Sequence, residues 1–120
     1  MSTKKPLEGY KVVDFSAVFA GPICSRFLLD CGAQVIKVET IGAGDITRGV
    51  DGITRTFAHF NAGKRSVAVD LKSPSGQALV KRLISDADIV IENFRPGIMA
   101  KFGLDYNSLK DSSPKLIYCS

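Results

Sequence analysis

Short apolar runs alternate with segments of helical spacing along the whole chain. Each run is rich in β-branched residues and begins near a polar or turn residue, which is typical of a strand. Because helical segments separate the runs, the pattern indicates βαβ units and an α/β domain with an open, doubly wound, mostly parallel sheet of Rossmann type. The predicted strands are residues 11–15, 34–39, 66–71, 88–92 and 115–119.

Two of the intervening segments carry clear helix signals. The first helix begins at Pro22 and ends at Gly32 as a C-cap, and the second has Ser73 as N-cap and Pro74 in its first turn. By contrast, residues 40–65 hold five glycines without a sustained period and predict a long loop with one helical turn. The apolar sides of the two helices are formed by Ile23, Phe27, Leu28, Cys31, Ala78, Leu79, Leu83 and Ile84.

The composition predicts one soluble globular domain. The 120 residues are 45% hydrophobic and 23% charged, which excludes an intrinsically disordered chain. Sixteen basic residues against 12 acidic ones give a formal charge of +4. Because the basic residues cluster at most in pairs, this charge favours a phosphorylated ligand over nucleic acid. No apolar run approaches the length of a membrane span, and no apolar segment of a signal peptide follows the first lysines.

The three cysteines indicate a reducing compartment. Cys24 and Cys31 are two helical turns apart, too far for a disulfide, and no CxxC motif is present. We therefore expect reduced thiols that fill core space in a cytoplasmic protein.

Candidate ligand-binding residues follow the predicted strands, at the edge where open α/β sheets bind ligands. Asn93, Phe94 and Arg95 follow the fourth strand and offer an amide, an aromatic ring and a guanidinium to a nucleotide. Lys72 and Lys101 are further cations predicted at this edge. Each cation alone is typical of a solvated surface, but the three together favour a polyanion site.

The first βα connection has two interpretations. Gly21 permits a tight turn and Pro22 presets helical φ, so free N–H groups at the helix start can contact an anion. The same residues also suit a plain βα turn, which is the more common case. The Gly42-Ala43-Gly44 segment lacks the third glycine of a dinucleotide fingerprint and follows the second strand instead of the first, which argues against NAD.

The remaining candidates are weaker. His59 is the only histidine and has no ligand partners at metal-binding spacing, so no metal site is predicted, while a general-base role stays open. Asp14, Asp70 and Glu92 at the strand ends are either catalytic or, more commonly, cap turns and pair with Lys and Arg. The sequence contains no GxSxG motif and no P-loop.

Five ordered segments together resemble the N-terminal part of class III CoA-transferases, a group that includes formyl-CoA and carnitine-CoA transferases, with α-methylacyl-CoA racemase as a close relative. The segments are PLEGYKVVDFSAVFAGPICSRFLLDCGAQVIKVE, GAGDITRG, NAGKRSVAVDLKSPSG, ADIVIENFRPGIMAKFGLDY and PKLIYCS. The resemblance runs from Pro6 to Ser120. It implies a Rossmann-like domain, residues 1–120, that forms the CoA-binding N-terminal portion of a longer enzyme.

The resemblance also implies a function and a set of contacts. The expected activity moves CoA between an acyl-CoA and a carboxylic acid through an aspartyl mixed anhydride. The aspartate is expected beyond Ser120, so no catalytic residue lies in this chain. We expect acyl-CoA as substrate, no permanent cofactor, an interlocked homodimer, and neither membrane nor nucleic acid as partner. An acyl-CoA racemase and a non-catalytic nucleotide-binding module remain alternatives. The implied CoA contacts are Phe19, Ala20, Val69, Leu71, Lys72, Asn93, Phe94, Arg95 and Lys101.

Overall fold

The computed structural model describes residues 4–49 and 54–120. Strands and helices alternate from the first strand onward, as the pattern of apolar runs predicts. A short 3-10 helix, Ile46–Arg48, lies between the second strand and the second helix. The elements are β1 (Lys11–Asp14), α1 (Ala20–Asp30), β2 (Gln34–Glu39), α2 (Thr54–Asn61), β3 (Arg65–Ala68), α3 (Pro74–Ser85), β4 (Ile89–Ile91), α4 (Ile98–Lys101), α5 (Tyr106–Leu109) and β5 (Ile117–Cys119).

The described strands form one sheet in the order β3-β2-β1-β4-β5. Every neighbouring pair is parallel, with Val12 opposite Val35 on one side of β1 and Val13 opposite Val90 on the other. This confirms the predicted α/β class and the Rossmann-type sheet. The strands are mostly shorter than predicted: β3 ends at Ala68, because the chain turns away at Asp70 to begin α3.

Both faces of the sheet are covered, as a doubly wound fold requires. Alternate strand residues point to opposite faces. On one face, Val12, Val35 and Ile91 pack with Leu28 and Leu29 of α1. On the other face, β1, β2 and β4 pack against α3, α4 and α5, through the buried residues Val13, Val38, Val80, Ile84, Val90, Met99, Leu104 and Leu109.

The prediction of a long loop at residues 40–65 is wrong in part. The 3-10 helix and the eight-residue helix α2 occupy much of it. Helix α2 has no long apolar stripe, and contacts with other elements hold it: the Phe60 ring lies 6.1 Å from the Phe19 ring, edge to face, and the Arg48 guanidinium lies 3.9 Å from the Phe57 ring centre. Residues 50–53, which the loop prediction also covered, lie outside the described residues.

The predicted helices α1 and α3 are present, and their buried faces match the apolar stripes in part: Leu28, Leu83 and Ile84 pack against the core. In α1, Ile23 and Phe27 are 44% and 71% exposed, and the residues that pack most tightly are Gly21, Pro22 and Ser25. In α3, Gly76, Val80 and Ile84 are buried, whereas Ala78 and Leu79 are exposed. The N-cap is as predicted, because the Ser73 hydroxyl accepts a hydrogen bond from the Gly76 N–H at 3.0 Å.

The cysteines are free, as predicted, but they do not fill the core. Cys24 and Cys119 are exposed and Cys31 is half-buried. Burial of part of its surface raises the pKa of the Cys24 thiol, and the neighbouring Cys119 and Asp14 add to the shift. Within the described residues, none of the helices is long and apolar enough to cross a bilayer.

Candidate functional site

The strand order places a crevice between the carboxyl ends of β1 and β4. From β1 the chain passes to α1 on one face of the sheet, and from β4 it passes to α4 on the other face. Such a reversal opens a ligand-binding crevice in open α/β sheets. Its walls are the β1–α1 loop, residues 15–19, and the segment 92–95 after β4. The third wall is the turn after β2.

A small cavity of about 60 Å³ lies beside this crevice, between the ends of β1 and β2, with Phe94 at its β4 side. Ser16 and Ala17 from the β1–α1 loop and Phe94 from the opposite wall line it, together with Lys37 of β2. The Phe94 side chain is 38% exposed, so an aromatic face is available at the rim. The crevice thus combines an apolar ring with buried polar groups beneath it.

Lys37 is a fully buried cation under the β1–α1 loop. Its ammonium donates to the Ser16 carbonyl at 2.6 Å and pairs with the Asp45 carboxylate at 3.0 Å. Both side chains are almost inaccessible to solvent, at 2% and 1%. A buried charge needs such a partner, because removing either member leaves the other uncompensated. Burial alone would raise the pKa of Asp45, but hydrogen bonds from Thr47 and Lys37 outweigh it and lower that pKa.

A second buried cation, Lys64, lies under the start of α1. Its ammonium donates to Asp14, the Pro22 carbonyl, the Ser25 hydroxyl and Asn61, at distances between 2.7 and 3.1 Å. The Asp14 carboxylate also accepts from the Ser25 hydroxyl at 2.5 Å. Burial lowers the pKa of Lys64, and the nearby carboxylate of Asp14 opposes that shift.

The turn after β2 is held by a third charged cluster. Arg48 donates to both carboxylate oxygens of Glu39 at 2.7 Å, the Ser66 hydroxyl donates at 2.6 Å and the Asp45 N–H at 2.8 Å. Burial alone would raise the pKa of Glu39, but these hydrogen bonds hold it at about 2. A Cβ at Gly44 would lie 2.8 Å from a Glu39 oxygen. The glycines of the predicted GxG segment therefore serve this turn.

The wall after β4 is tied to the β1–α1 loop by Asn93. Its side-chain amide accepts from the Ala17 N–H at 2.9 Å and donates to the Ala17 carbonyl at 2.8 Å. Beside it, the buried Glu92 carboxylate accepts from the Phe94 N–H at 2.8 Å and from the Ser120 hydroxyl. The two walls of the crevice are thus connected through side chains.

The predicted contact residues divide into two groups along this edge. Phe19, Ala20, Asn93 and Phe94 lie at the crevice between β1 and β4, and all are exposed. Val69, Leu71 and Lys72 follow β3, at the edge of the sheet. Two strands separate β3 from β4, which corresponds to three spacings of about 4.8 Å each.

The predicted contact residues that follow β3 differ in their accessibility to solvent. Val69 is only 3% exposed and belongs to the core, and Leu71 packs against the same core. Lys72 is exposed, and its N–H donates to Asp70 at 2.9 Å.

Arg95 and Lys101 lie beyond β4, on the side of α4 and α5. Arg95 lines an open cavity of about 450 Å³ with Glu92, Tyr106 and Tyr118. Lys101 is exposed at the last position of α4. Burial raises the pKa of the Tyr118 hydroxyl, which donates to the Leu104 carbonyl at 3.0 Å. The ligand contacts predicted for Arg95, Lys101 and the residues at the other strand ends stay predictions.

The three candidate acidic residues pair with a cation or cap a turn, which is the more common of the two roles considered for them. Asp14 pairs with Lys64, Asp70 caps the turn before α3, and Glu92 caps the turn after β4. His59 is exposed on α2 with its ring 5.3 Å from the Phe60 ring. Across residues 4–49 and 54–120, no three His, Cys, Asp or Glu side chains are grouped so as to hold a metal ion.

Sequence reasoning missed Lys37, Lys64 and the backbone of Val18. A lysine inside the apolar run of β2 was a usable signal for Lys37, because an unpaired charge is not expected in a buried parallel strand. Lys64 carries no such signal, since it lies in a turn and its partners are far away in sequence. Val18 has φ 69°, a left-handed conformation that a β-branched residue rarely adopts.

The fold and the crevice define an α/β protein of Rossmann type with a candidate ligand site at its topological switch point. The chain belongs to CoA-transferase family III, whose model matches residues 7–120. This confirms the resemblance noted in the sequence.

Two relatives of this chain are named as CoA-transferases. The chain is 48% identical to the succinate–glutarate CoA-transferase of Agrobacterium fabrum, over 98% of the chain and 32% of that protein. It is 41% identical to the human succinyl-CoA:glutarate CoA-transferase, over 100% of the chain and 28% of that protein. The chain therefore spans less than a third of the length of these relatives.

A solved structure agrees with the fold. The CAIB/BAIF family protein from Brucella suis superposes with a TM-score of 0.91 at 46% identity, over 98% of this chain and 33% of that one. The whole chain thus corresponds to one part of a larger family fold.

Proposed function

We propose that residues 1–120 form the coenzyme A-binding N-terminal portion of an acyl-CoA:carboxylate CoA-transferase. The observation that carries the proposal is the family match, which covers nearly the entire chain. Both curated relatives described above are named for CoA transfer between dicarboxylic acids. We therefore propose that the acceptor is a dicarboxylic acid and that the donor is the CoA thioester of another dicarboxylic acid.

The proposed reaction uses an aspartate outside this chain. Its carboxylate attacks the thioester carbonyl, and the CoA thiolate leaves as a mixed anhydride forms. The thiolate then attacks the enzyme's half of the anhydride, which releases the donor acid and leaves an enzyme thioester. The acceptor carboxylate attacks the carbonyl of that thioester, which releases the CoA thiolate and forms a second mixed anhydride. The thiolate then attacks the acceptor's carbonyl in this anhydride, which forms the new CoA ester and regenerates the aspartate carboxylate. The described residues serve to bind CoA in this scheme.

Charge along the carboxyl ends of the strands and an exposed aromatic ring support binding of CoA. CoA carries a diphosphate and a 3′-phosphate, which suit Lys72, Arg95 and Lys101, and an adenine, which suits the exposed ring of Phe94. The two-strand separation of Lys72 from β4 is compatible with a long ligand that lies along the strand ends. We propose these residues, with Phe19, Ala20 and the backbone of residues 69–71, as the set that contacts CoA, and Asn93 as a residue that supports this set through the Ala17 backbone.

We also propose a cytoplasmic homodimer. The free cysteines suit a reducing compartment, and the exposed side chains of Ile23 and Phe27 give α1 an apolar surface that a second subunit would cover. Light scattering on the natural full-length protein tests this assembly. A monomer at micromolar concentration would contradict it.

Calorimetry on the natural full-length protein tests the ligand. We expect heat of binding with CoA and little or none with NAD or ATP. Arg95→Ala and Lys101→Ala should each raise the KM for the CoA ester by about ten- to a hundredfold, because each removes a charge-assisted hydrogen bond. Lys110→Ala, an exposed lysine on the far side of α5, is the control. Equal heats for all three nucleotides, or an unchanged KM in both variants, would overturn the proposal.

A further inference from the structure

The β1–α1 loop has a backbone conformation that its own sequence disfavours. Val18 lies at φ 69°, and it is the one non-glycine residue with positive φ in the described part of the chain. A β-branched side chain at this φ is crowded by the backbone carbonyl. Such a conformation persists only where the surrounding structure enforces it, and it often marks a functional segment.

Two buried ammonium groups fix the ends of this loop. Lys37 donates to the Ser16 carbonyl at 2.6 Å, just before the strained residue. Lys64 donates to the Pro22 carbonyl at 3.0 Å, in the first turn of α1. Both cations come from elsewhere in the fold, β2 and the turn before β3, so tertiary contacts set the path of the loop.

The middle of the loop is fixed by Asn93. Both hydrogen bonds of its amide go to the backbone of Ala17, the residue next to Val18. The Phe15 N–H donates to the Ile91 carbonyl at 2.8 Å, so Asn93 extends the pairing of β1 with β4 by one step after the strands end. The Asn93 side chain therefore makes the same kind of paired hydrogen bonds to the loop backbone that a neighbouring strand would make.

The loop presents apolar side chains to solvent. Val18 and Phe19 are 36% and 45% exposed, and Phe94 lies on the opposite wall of the same crevice. A loop that exposes apolar residues and carries backbone strain is arranged for a ligand and not for stability alone.

We infer that Asn93, Lys37 and Lys64 are positioning residues that hold the β1–α1 loop ready to receive coenzyme A, and that Asn93 acts through Ala17 instead of through contact with the ligand. The inference rests on the proposed function, because it names CoA as the occupant of the crevice. We call the hydrogen bonds from Asn93, Lys37 and Lys64 to the loop and the start of α1 the clamp. If the clamp is removed, a smaller fraction of molecules holds the binding-competent loop, and the apparent Kd rises in inverse proportion to that fraction.

The decisive experiment is a double-mutant cycle between Asn93 and Val18 in the natural full-length protein, with the Kd for CoA measured by calorimetry. Asn93→Ala should raise the Kd about tenfold. Val18→Asn lowers the strain, because asparagine tolerates the left-handed region. In the Val18→Asn background, Asn93→Ala should therefore raise the Kd much less, about two- to threefold. Asn107→Ala, an exposed asparagine on α5, is the matched control for loss of a surface amide.

A contact role for Asn93 gives a different result. The loss on Asn93→Ala would then be the same in both backgrounds, and that outcome would overturn the inference. An unchanged Kd in the single variant would overturn it as well. Lys64→Met is not used as the primary variant, because it leaves Asp14 buried without its cation and can prevent folding.

Amide hydrogen exchange at residues 17–19 without CoA separates this inference from the proposed function. Asn93→Ala should speed exchange there at least tenfold, and Val18→Asn should restore part of the protection. Wild-type protein that gives no heat with CoA would overturn the proposed function and the assignment of the ligand. Unchanged exchange in Asn93→Ala would overturn the clamp itself, whatever the ligand.

Discussion

The β1–α1 loop and the turn from β3 to α3 lie at the same edge of the sheet but are held in different ways. In the β3–α3 turn, Lys72 N–H donates to Asp70 and the Ser73 hydroxyl caps α3, so the side chains that hold the turn lie within a few residues of the groups they bind. In the β1–α1 loop, distant side chains at positions 37, 64 and 93 add to the local hydrogen bond from Ser16 N–H to Asp14. A local turn needs only its own residues, whereas the clamped loop needs the finished fold.

This difference predicts how far from the substituted residue each substitution disturbs the structure. Loss of a local cap weakens one helix terminus, and its effect stays small. Loss of a buried ammonium disturbs the core beneath the loop and the ligand wall above it. Chemical unfolding of the natural full-length protein measures that contrast.

The largest effect is expected for Lys64→Met. The substitution keeps the volume of the side chain but leaves the buried Asp14 carboxylate without its cation, so we expect the free energy of unfolding to fall by about 3–5 kcal/mol. Lys72→Met, at the exposed position in the local turn, should change it by less than about 0.5 kcal/mol. Equal effects for the two lysines would contradict the distinction between the clamped loop and the local turn.

A smaller loss is expected for Gly21→Ala in the first turn of α1. A Cβ at this position would lie 2.0 Å from the Ser16 Cβ, so the loop or the helix must shift. Overpacking of this kind reduces stability by about 1–3 kcal/mol or more. Gly49→Ala is the control, since an added Cβ there meets nothing within 4 Å. A stable Gly21→Ala protein with unchanged affinity for CoA would show that the contact between loop and helix is dispensable.

The sequence predicted the fold well because the fold depends on patterns that repeat. Strand composition gave the five strands and their parallel arrangement, and the Ser73–Pro74 pair gave the start of α3. Helix α2 was missed because rings such as Phe57 and Phe60, packed on other elements, hold it in place of an apolar stripe of its own.

The candidate site was predicted less completely, for a physical reason. The strand-end positions of Asn93 and Phe94 follow from the strand pattern. Lys64 pairs with Asp14, 50 positions away in the sequence, and no local sequence pattern predicts a pair so far apart. The exposed surface of α1 also depends on packing that the sequence pattern does not show: Phe27 fits the apolar stripe, but Gly21 and Ser25 are the buried residues of the helix and Phe27 is exposed.

The ion pair of Glu39 with Arg48, in the turn after β2, should make the stability of the protein depend on acid pH. Because hydrogen bonds hold the pKa of Glu39 at about 2, its stabilising effect is present above the pKa of the unfolded chain, about 4.3, and is lost as the pH falls through the range from about 4.3 to 2. Arg48→Met removes the principal donor and should lower the free energy of unfolding by about 1–2 kcal/mol at pH 7. Urea unfolding at pH 7 and pH 3 should show this difference shrinking in acid.

Arg55→Met, at an exposed position of α2, is the control for the loss of a surface guanidinium. It should change stability little and equally at both values of pH. A difference between Arg48→Met and the wild type that does not depend on pH would mean that packing of the Arg48 side chain on Phe57, and not its pairing with Glu39, carries the effect.

The smallest effect is expected in the local turn itself. Ser73→Ala removes the hydroxyl that accepts from the Gly76 N–H at 3.0 Å, and loss of an N-cap typically reduces stability by about 1 kcal/mol. Ser75→Ala, two positions further into α3, should have little effect. Because the Ser73 cap bonds only within the turn and the first turn of α3, hydrogen exchange in the β1–α1 loop should be unchanged in Ser73→Ala. Faster exchange at residues 17–19 would show that the two regions are coupled, and the contrast between local and long-range support would then fail.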